Sequence, residues 1–212
     1  KDHVFVTGSP LREVLNKYAD QINLSDVVAR LNLKNNDYFV VSAHREENVD
    51  LNDNFEVLAA SLNTVAEKYQ KPIIFSTHPR TKNRIEKNKI KFHSLIKNIP
   101  PLGFFDYVSL QKNAYVVLSD SGTISEESAM MGFPAVSIRT STERPEAIDA
   151  GTVVLGGIGT NEVLNAIEIT KGLSVNEHSD LPWEYNVKNT SERVVKVIQS
   201  YTPIVDKVIW NK

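Results

Sequence analysis

The sequence predicts an α/β domain built on a doubly wound parallel sheet, and three observations carry that prediction. Short β-rich apolar runs alternate with segments of helical spacing, Gly and Pro punctuate the junctions, and the residues just after the strand runs are unusually polar. A parallel pair of strands needs a crossover, usually a helix, so this alternation favours a sheet covered on both faces.

The first strand is expected over Tyr38 to Ser42, a continuous apolar run of the kind that a strand buried on both faces requires. Asn52 to Tyr69 follows as a helix, with Leu58, Leu62, Val65 and Ala66 at helical spacing. Pro72 to Thr77 predicts a second strand and Thr81 to Asn88 a helix. Phe104 to Asn113 reads as a helix, Tyr115 to Ser119 as a strand and Ser125 to Met131 as a helix. The pattern continues through a strand at Pro134 to Ile138, a helix at Glu143 to Ala150, a strand at Thr152 to Leu155 and a helix at Glu162 to Gly172. A last helix over Ser191 to Tyr201 follows the polar stretch Asn176 to Asn189 and reads as an appended element.

The bulk properties exclude several classes of function. The 212 residues are 41% hydrophobic and 24% charged, ordinary for a globular domain. Twenty-four basic side chains against 26 acidic ones give a formal charge of -2, so no global field draws nucleic acid or an anionic membrane. The chain has no cysteine, hence no disulfide and no thiolate metal site, which is compatible with a cytoplasmic location. No apolar run approaches the roughly 18 residues of a membrane span. His3, His93 and His178 lack helical metal-ligand spacing, so no structural zinc is expected. The chain starts at Lys1, and Val4 to Thr7 already reads as ordered, so it is expected to begin inside a longer protein.

Ligands of doubly wound sheets bind beyond the carboxyl ends of the strands. There the sequence places Ala43-His44-Arg45-Glu46-Glu47-Asn48, His78-Pro79-Arg80, Asp120-Ser121-Gly122, Arg139 to Glu146, and Gly156-Gly157. In strand-Asp120-Ser121-Gly122-helix, the glycine lets backbone approach an anion and the helix start offers N–H groups and a positive dipole end, which suits a diphosphate. Thr123 and Glu126 have capping-box spacing, so Glu126 is expected to cap its own helix. Glu127 has two open readings, dipole stabilisation or acceptance of hydrogen bonds from ribose hydroxyls. Ser121 is not expected to be a nucleophile, because Ser119 and Thr123 stand where G-x-S-x-G needs glycines.

His44 and Arg45 bring a titratable imidazole and a permanent cation to the rim, and His44 is positioned to bond a phosphate oxygen or move a proton at a leaving group. Arg144, at the start of a helix whose dipole disfavours a cation, points to an anionic partner. His78-Pro79-Arg80 reads as ordinary surface as readily as a site. Gly157-Ile158-Gly159-Thr160-Asn161-Glu162 carries two glycines of a dinucleotide fingerprint but Glu in place of the third, and reads as a βα turn.

Ser42 to Asn48, Asp120 to Glu127, and Arg139 to Gly151, in that order, resemble the non-hydrolysing UDP-N-acetylglucosamine 2-epimerases over nearly the whole chain. The likeness is strongest to the capsule and O-antigen branch, whose members form UDP-N-acetyl-fucosamine or related sugars. The resemblance implies the second half of a two-domain, glycosyltransferase-B-like fold, with the first domain missing from this chain. It divides the chain into a linker at 1–20, a Rossmann-like UDP-binding domain at 21–180 and an appended helix and tail at 181–212.

For the chemistry, the resemblance implies anti-elimination of UDP with loss of the C2 proton, then re-addition with protonation on the opposite face. It requires no cofactor, and the acid/base carboxylates belong to the first domain. It implies that Ser121, Gly122 and Thr123 hold the diphosphate, Glu127 the ribose and Arg144 a phosphate, with His44 beside the leaving group. Leu102 and Tyr107, in Pro101 to Tyr107, match the uracil-recognition segment. Residues like Arg45 and His78 serve an allosteric UDP-sugar site in some relatives, but Glu46 stands where many carry arginine, which puts that regulation in doubt. The full-length protein is expected to be a homodimer. A retaining glycosyltransferase of the same architecture is the alternative, and a non-catalytic nucleotide-sugar sensor a further one.

Overall fold

The computed structural model describes residues 4–49, 54–139, 144–172 and 181–211, and of Val49 the backbone alone. Three short helices, α1 (Leu11–Lys17), α2 (Ala19–Asn23) and α3 (Val27–Arg30), precede β1 (Phe39–Ser42). Helices α4 (Glu46–Val49) and α5 (Asn54–Tyr69) lead to β2 (Ile73–Ser76), α6 (Pro79–Lys87) to β3 (Ile96–Ile99), and α7 (Phe104–Lys112) to β4 (Val116–Ser119). Then α8 (Ile124–Met131) leads to β5 (Ala135–Ser137) and α9 (Pro145–Asp149) to β6 (Val154–Leu155), followed by α10 (Thr160–Gly172), α11 (Trp183–Asn186) and α12 (Thr190–Val208).

The strands form one six-stranded sheet in the order β3-β2-β1-β4-β5-β6, and every neighbouring pair is parallel. The chain moves outward from β1 to β3, returns to the centre at β4, and moves outward the other way to β6. That reversal leaves a crevice between the carboxyl ends of β1 and β4. Alternation along β1 divides the core: Phe39 and Val41 face α5 and α10, whose Leu58, Leu62, Val65, Val163 and Ile167 are buried against them. Tyr38 and Val40 face the other layer with Leu110 of α7, Ile124 of α8, Ala147 of α9 and Tyr185 of α11. Both faces are covered, which is why the central strands carry apolar residues at successive positions.

The expected strands appear, shortened at their ends, and the doubly wound sheet is as predicted. The sequence reading missed β3, an edge strand with buried Ile96 but exposed Lys97 and Asn98. A strand paired on one side only, with charge and amide facing water, lacks the apolar run that marked the others. It also missed α1 to α3, α4 and α11, each too short to show two turns of periodicity. Helix α6 begins at Pro79 rather than Thr81 because the His78 side chain caps it. Helix α12 continues to Val208, past Pro203. Residues 140–143 and 173–180, which include Glu143 of one expected helix and part of the polar Asn176 to Asn189 stretch, lie outside the described residues, as does Asn52.

Residues before β1 are fastened to the body of the fold. Leu15 is buried with Ile22 and Val108, Ser9 N–H donates to Glu184 O at 2.8 Å, and Arg12 donates to the carbonyls of Tyr185 and Met130 at 2.9 and 3.3 Å. At the far edge, Gly156 and Gly157 make the turn from β6 into α10, with Gly157 at φ 59. A Cβ on Gly156 would stand 2.5 Å from Val136 Cγ1 and 2.9 Å from Ala166 Cβ, so β6 approaches α10 too closely for any side chain. Gly156→Ala is therefore expected to lower stability by about 1–3 kcal/mol through overpacking, seen as a fall in the urea midpoint at unchanged m-value.

Candidate functional site

Asp120 directly follows β4, and its carboxylate is fully buried. From the loop after β1 it accepts the backbone N–H of His44 at 3.0 Å, that of Arg45 at 2.9 Å and the Nδ2 amide of Asn48 at 3.1 Å. The Asn48 amide also donates to Ile138 O at 2.9 Å, beyond β5. Three strand ends are thus joined through one carboxylate and one amide. Arg139, itself 4% exposed, donates through Nε to Glu47 at 3.0 Å, and the Thr81 hydroxyl donates to Ala43 O at 2.8 Å. The His44 loop is polar because those groups bind one another beneath the rim.

His44 Nδ1 lies 3.2 Å from Asp120 Oδ1, and the His44 side chain is 45% exposed. A carboxylate at Nδ1 makes that nitrogen the protonated one in the neutral ring, so Nε2 remains to accept or deliver a proton at the rim. Across the crevice, Ser121 and Thr123 hydroxyls are 3.0 Å apart, and the Ser119 hydroxyl receives Ser121 N–H at 3.1 Å. The Ser121 hydroxyl also accepts Thr123 N–H at 3.4 Å.

The capping box does not form. Thr123 has helical backbone angles, φ -74 and ψ -18, and its side chain makes no cap bond. Glu126 turns away from its own helix start: Oε2 accepts the Ser9 hydroxyl at 2.5 Å and Oε1 meets Arg144 at 2.9 Å. The anionic partner expected for Arg144 is therefore supplied, at least in part, by this protein's own carboxylate. Beside Arg144, a cleft of about 470 Å³ is lined by Phe5 to Pro10, Glu126, Glu146, Glu184 and Tyr185, with the Tyr185 hydroxyl donating to Glu146 at 2.9 Å.

Glu127, one residue on, faces the other way and accepts Gln111 Nε2 at 2.8 Å. Burial pushes its carboxyl above the usual range, bonds from Gln111 and Thr123 oppose that, and the Glu126 charge adds to it. Tyr107 stands near Glu127 and Asp120 and shares a hydrogen bond with Ser42, its hydroxyl pushed up chiefly by burial. His44, Ser121, Gly122, Thr123, Tyr107 and Glu127 thus gather around the mouth of β1 and β4, with Arg144 joined to them through Glu126. Leu102 sits at the lead-in to α7, partly buried against the core. Arg45 enters the cluster through its backbone. His78 Nδ1 accepts Arg80 N–H at 3.4 Å, a helix cap on the neighbouring strand end. Among the described residues no group of three or more His, Asp or Glu is placed to hold a metal ion, and no helix is long and apolar enough to cross a membrane.

The sequence profile of a family described as UDP-N-acetylglucosamine 2-epimerase matches residues 1–199. The chain belongs to that family. A UDP-N-acetylglucosamine 2-epimerase of Methanococcus maripaludis is 37% identical over 172 residues, 78% of this chain and 45% of that protein. In structure, the UDP-N-acetylglucosamine 2-epimerase from Rickettsia bellii superposes with TM-score 0.86 at 36% identity, over 97% of this chain and 56% of that one. The Methanocaldococcus jannaschii UDP-GlcNAc 2-epimerase, in complex with UDP-GlcNAc and UDP, matches with TM-score 0.80 at 31% identity, over 92% of this chain and 54% of that one. This chain spans about half the length of the relatives it matches.

Gln111 was not singled out from sequence, where nothing local marks it. Asp120 and Asn48 stood within the polar runs after β4 and β1, but their joining of the two loops has no local signature. Replacing Asp120 leaves the His44 and Arg45 N–H groups and the Asn48 amide without their acceptor. Asp120→Ala is expected to cost on the order of 3 kcal/mol in stability, measured by chemical denaturation.

Proposed function

We propose that this chain is the UDP-binding half of a UDP-N-acetylhexosamine 2-epimerase, and that catalysis requires a first domain supplying the acid/base carboxylates. The observation that carries the reading is the Asp120 carboxylate, which holds the His44 loop against the Ser121-Gly122-Thr123 loop at the switch point of the sheet. A pyrophosphate lying there meets backbone N–H groups at the start of α8 on one side and the imidazole on the other. Glu127 takes the ribose hydroxyls, Arg144 a phosphate oxygen, and Leu102 with Tyr107 the uracil.

In this reading the chain's residues act on the leaving group. As the C1–O bond breaks, the diphosphate gains negative charge, and α8 N–H groups and Arg144 stabilise it where it forms, joined by His44 when its ring carries a second proton and Nε2 donates. The C2 proton is removed by a base of the other domain, giving an unsaturated sugar. UDP, retained in this half, adds back to C1 while C2 is protonated on the opposite face. The finer assignment, an acetamido sugar of capsule or O-antigen synthesis, follows from the sequence resemblance and belongs to the same proposal.

Two experiments test it. The complete enzyme, incubated in deuterated water with a UDP-acetamido sugar, is expected to incorporate deuterium at C2 and accumulate the C2 epimer by NMR. Product without label at C2, or transfer of the sugar to an acceptor with inversion at no centre, rejects it in favour of another mechanism or of a retaining transferase. In this chain, Glu127→Ala is expected to weaken UDP binding by roughly ten- to a hundredfold in calorimetry, since charge-assisted hydrogen bonds are lost. Parental affinity in the folded variant removes Glu127 from the ribose.

A further inference from the structure

Helix α7 runs inward from the segment carrying Leu102 and Tyr107 to Gln111 near its end, which has no role in the reading above. Gln111 is 1% exposed. Its Nε2 donates to Glu127 Oε2 at 2.8 Å, while its Oε1 is buried without a hydrogen-bond partner. An orphaned carbonyl oxygen is unfavourable, and an apolar side chain of similar size would fill the space without it. Packing therefore does not explain an amide here. Its one satisfied group points at Glu127.

We propose that Gln111 is a positioning residue for nucleotide binding, holding the Glu127 carboxylate by one oxygen so that the other is presented to the ribose hydroxyls. The inference rests on the reading of Glu127 as ribose ligand. A carboxylate on a long side chain samples several rotamers, and ordering it before the ligand arrives removes that cost from binding. Gln111 can do so because α7 is itself held by buried Val108 and Leu110.

The bond also has an electrostatic consequence. Burial raises the Glu127 carboxyl, the Gln111 and Thr123 bonds lower it, and the neighbouring Glu126 charge raises it again. Tyr107, on α7, is a further titratable group facing it. Ribose binding by an ionised acceptor is present above the Glu127 pKa and lost as pH falls through it. Without the amide donor, that loss begins at a higher pH.

The test is calorimetric titration of this chain with UDP, from about pH 5.5 to 8.5, for the parent, Gln111→Leu, Gln111→Glu and Glu127→Ala. Gln111→Leu is expected to weaken UDP by about three- to tenfold at the top of the range, with the ratio to parent growing as pH falls. Taking that ratio cancels the ligand's own phosphate titration. Gln111→Glu, which sets a second carboxyl against Glu127, is expected to show a larger and steeper loss. Gln111→Met supplies the same comparison if leucine perturbs folding. Parental affinity in folded Gln111→Leu, or a loss identical at every pH, overturns the proposal while a weakened Glu127→Ala leaves the ribose reading standing. Parental affinity in Glu127→Ala removes the ribose reading and this proposal with it.

Discussion

The Asp120 carboxylate is the interaction on which the rest of the candidate site depends. An ionised carboxylate can be fully buried only if its oxygens are met by donors, and here the donors come from the loop after a different strand. The bond requirement of one side chain therefore fixes the spacing of two loops just past the last backbone bond between those strands, Asp120 N–H to Ser42 O at 3.1 Å. Asn48 passes the same constraint to the end of β5 through Ile138. A polar segment that would otherwise follow solvent is held as a wall, and His44 is set in it with Nδ1 already engaged.

The opposite wall depends on two consecutive glutamates doing different work. Neighbouring positions on a helix point about 100° apart, so Glu126 and Glu127 cannot share a partner. Glu126 reaches Ser9 and Arg144 and ties the segment before α1 to the start of α9. Glu127 points toward α7 and Gln111. One helix turn thus connects the cleft beside residues 5–10 with Gln111 on α7. The crevice lies between these walls at the switch point of the sheet, in a chain that belongs to the UDP-N-acetylglucosamine 2-epimerase family.

Local pattern made the central strands and long helices legible, because burial on both faces of a sheet selects apolar residues wherever the strand runs. It failed at β3, where one edge faces water and Lys97 and Asn98 break the run. It failed again at Glu126. Capping-box spacing describes what a helix start does when nothing else approaches, but Arg144 and Ser9 are near enough to claim the carboxylate. Arg144 was read as wanting an anion, and the structure supplies a protein carboxylate, Glu126, as one such partner.

By itself the sequence determined the alternation of strands and helices, the polar rim at the strand ends and the motifs that mark the family, since each depends on residues close together in the chain. Tertiary structure alone decided which of those rim residues meet. His44 and Asp120 are 76 positions apart, and Ser9 and Glu126 are 117 apart. No local periodicity records such pairs, because hydrogen bonds between distant segments exist only after the sheet has set the order of its strands. The same holds for Gln111, whose place against Glu127 depends on α7 and α8 packing on one face of that sheet.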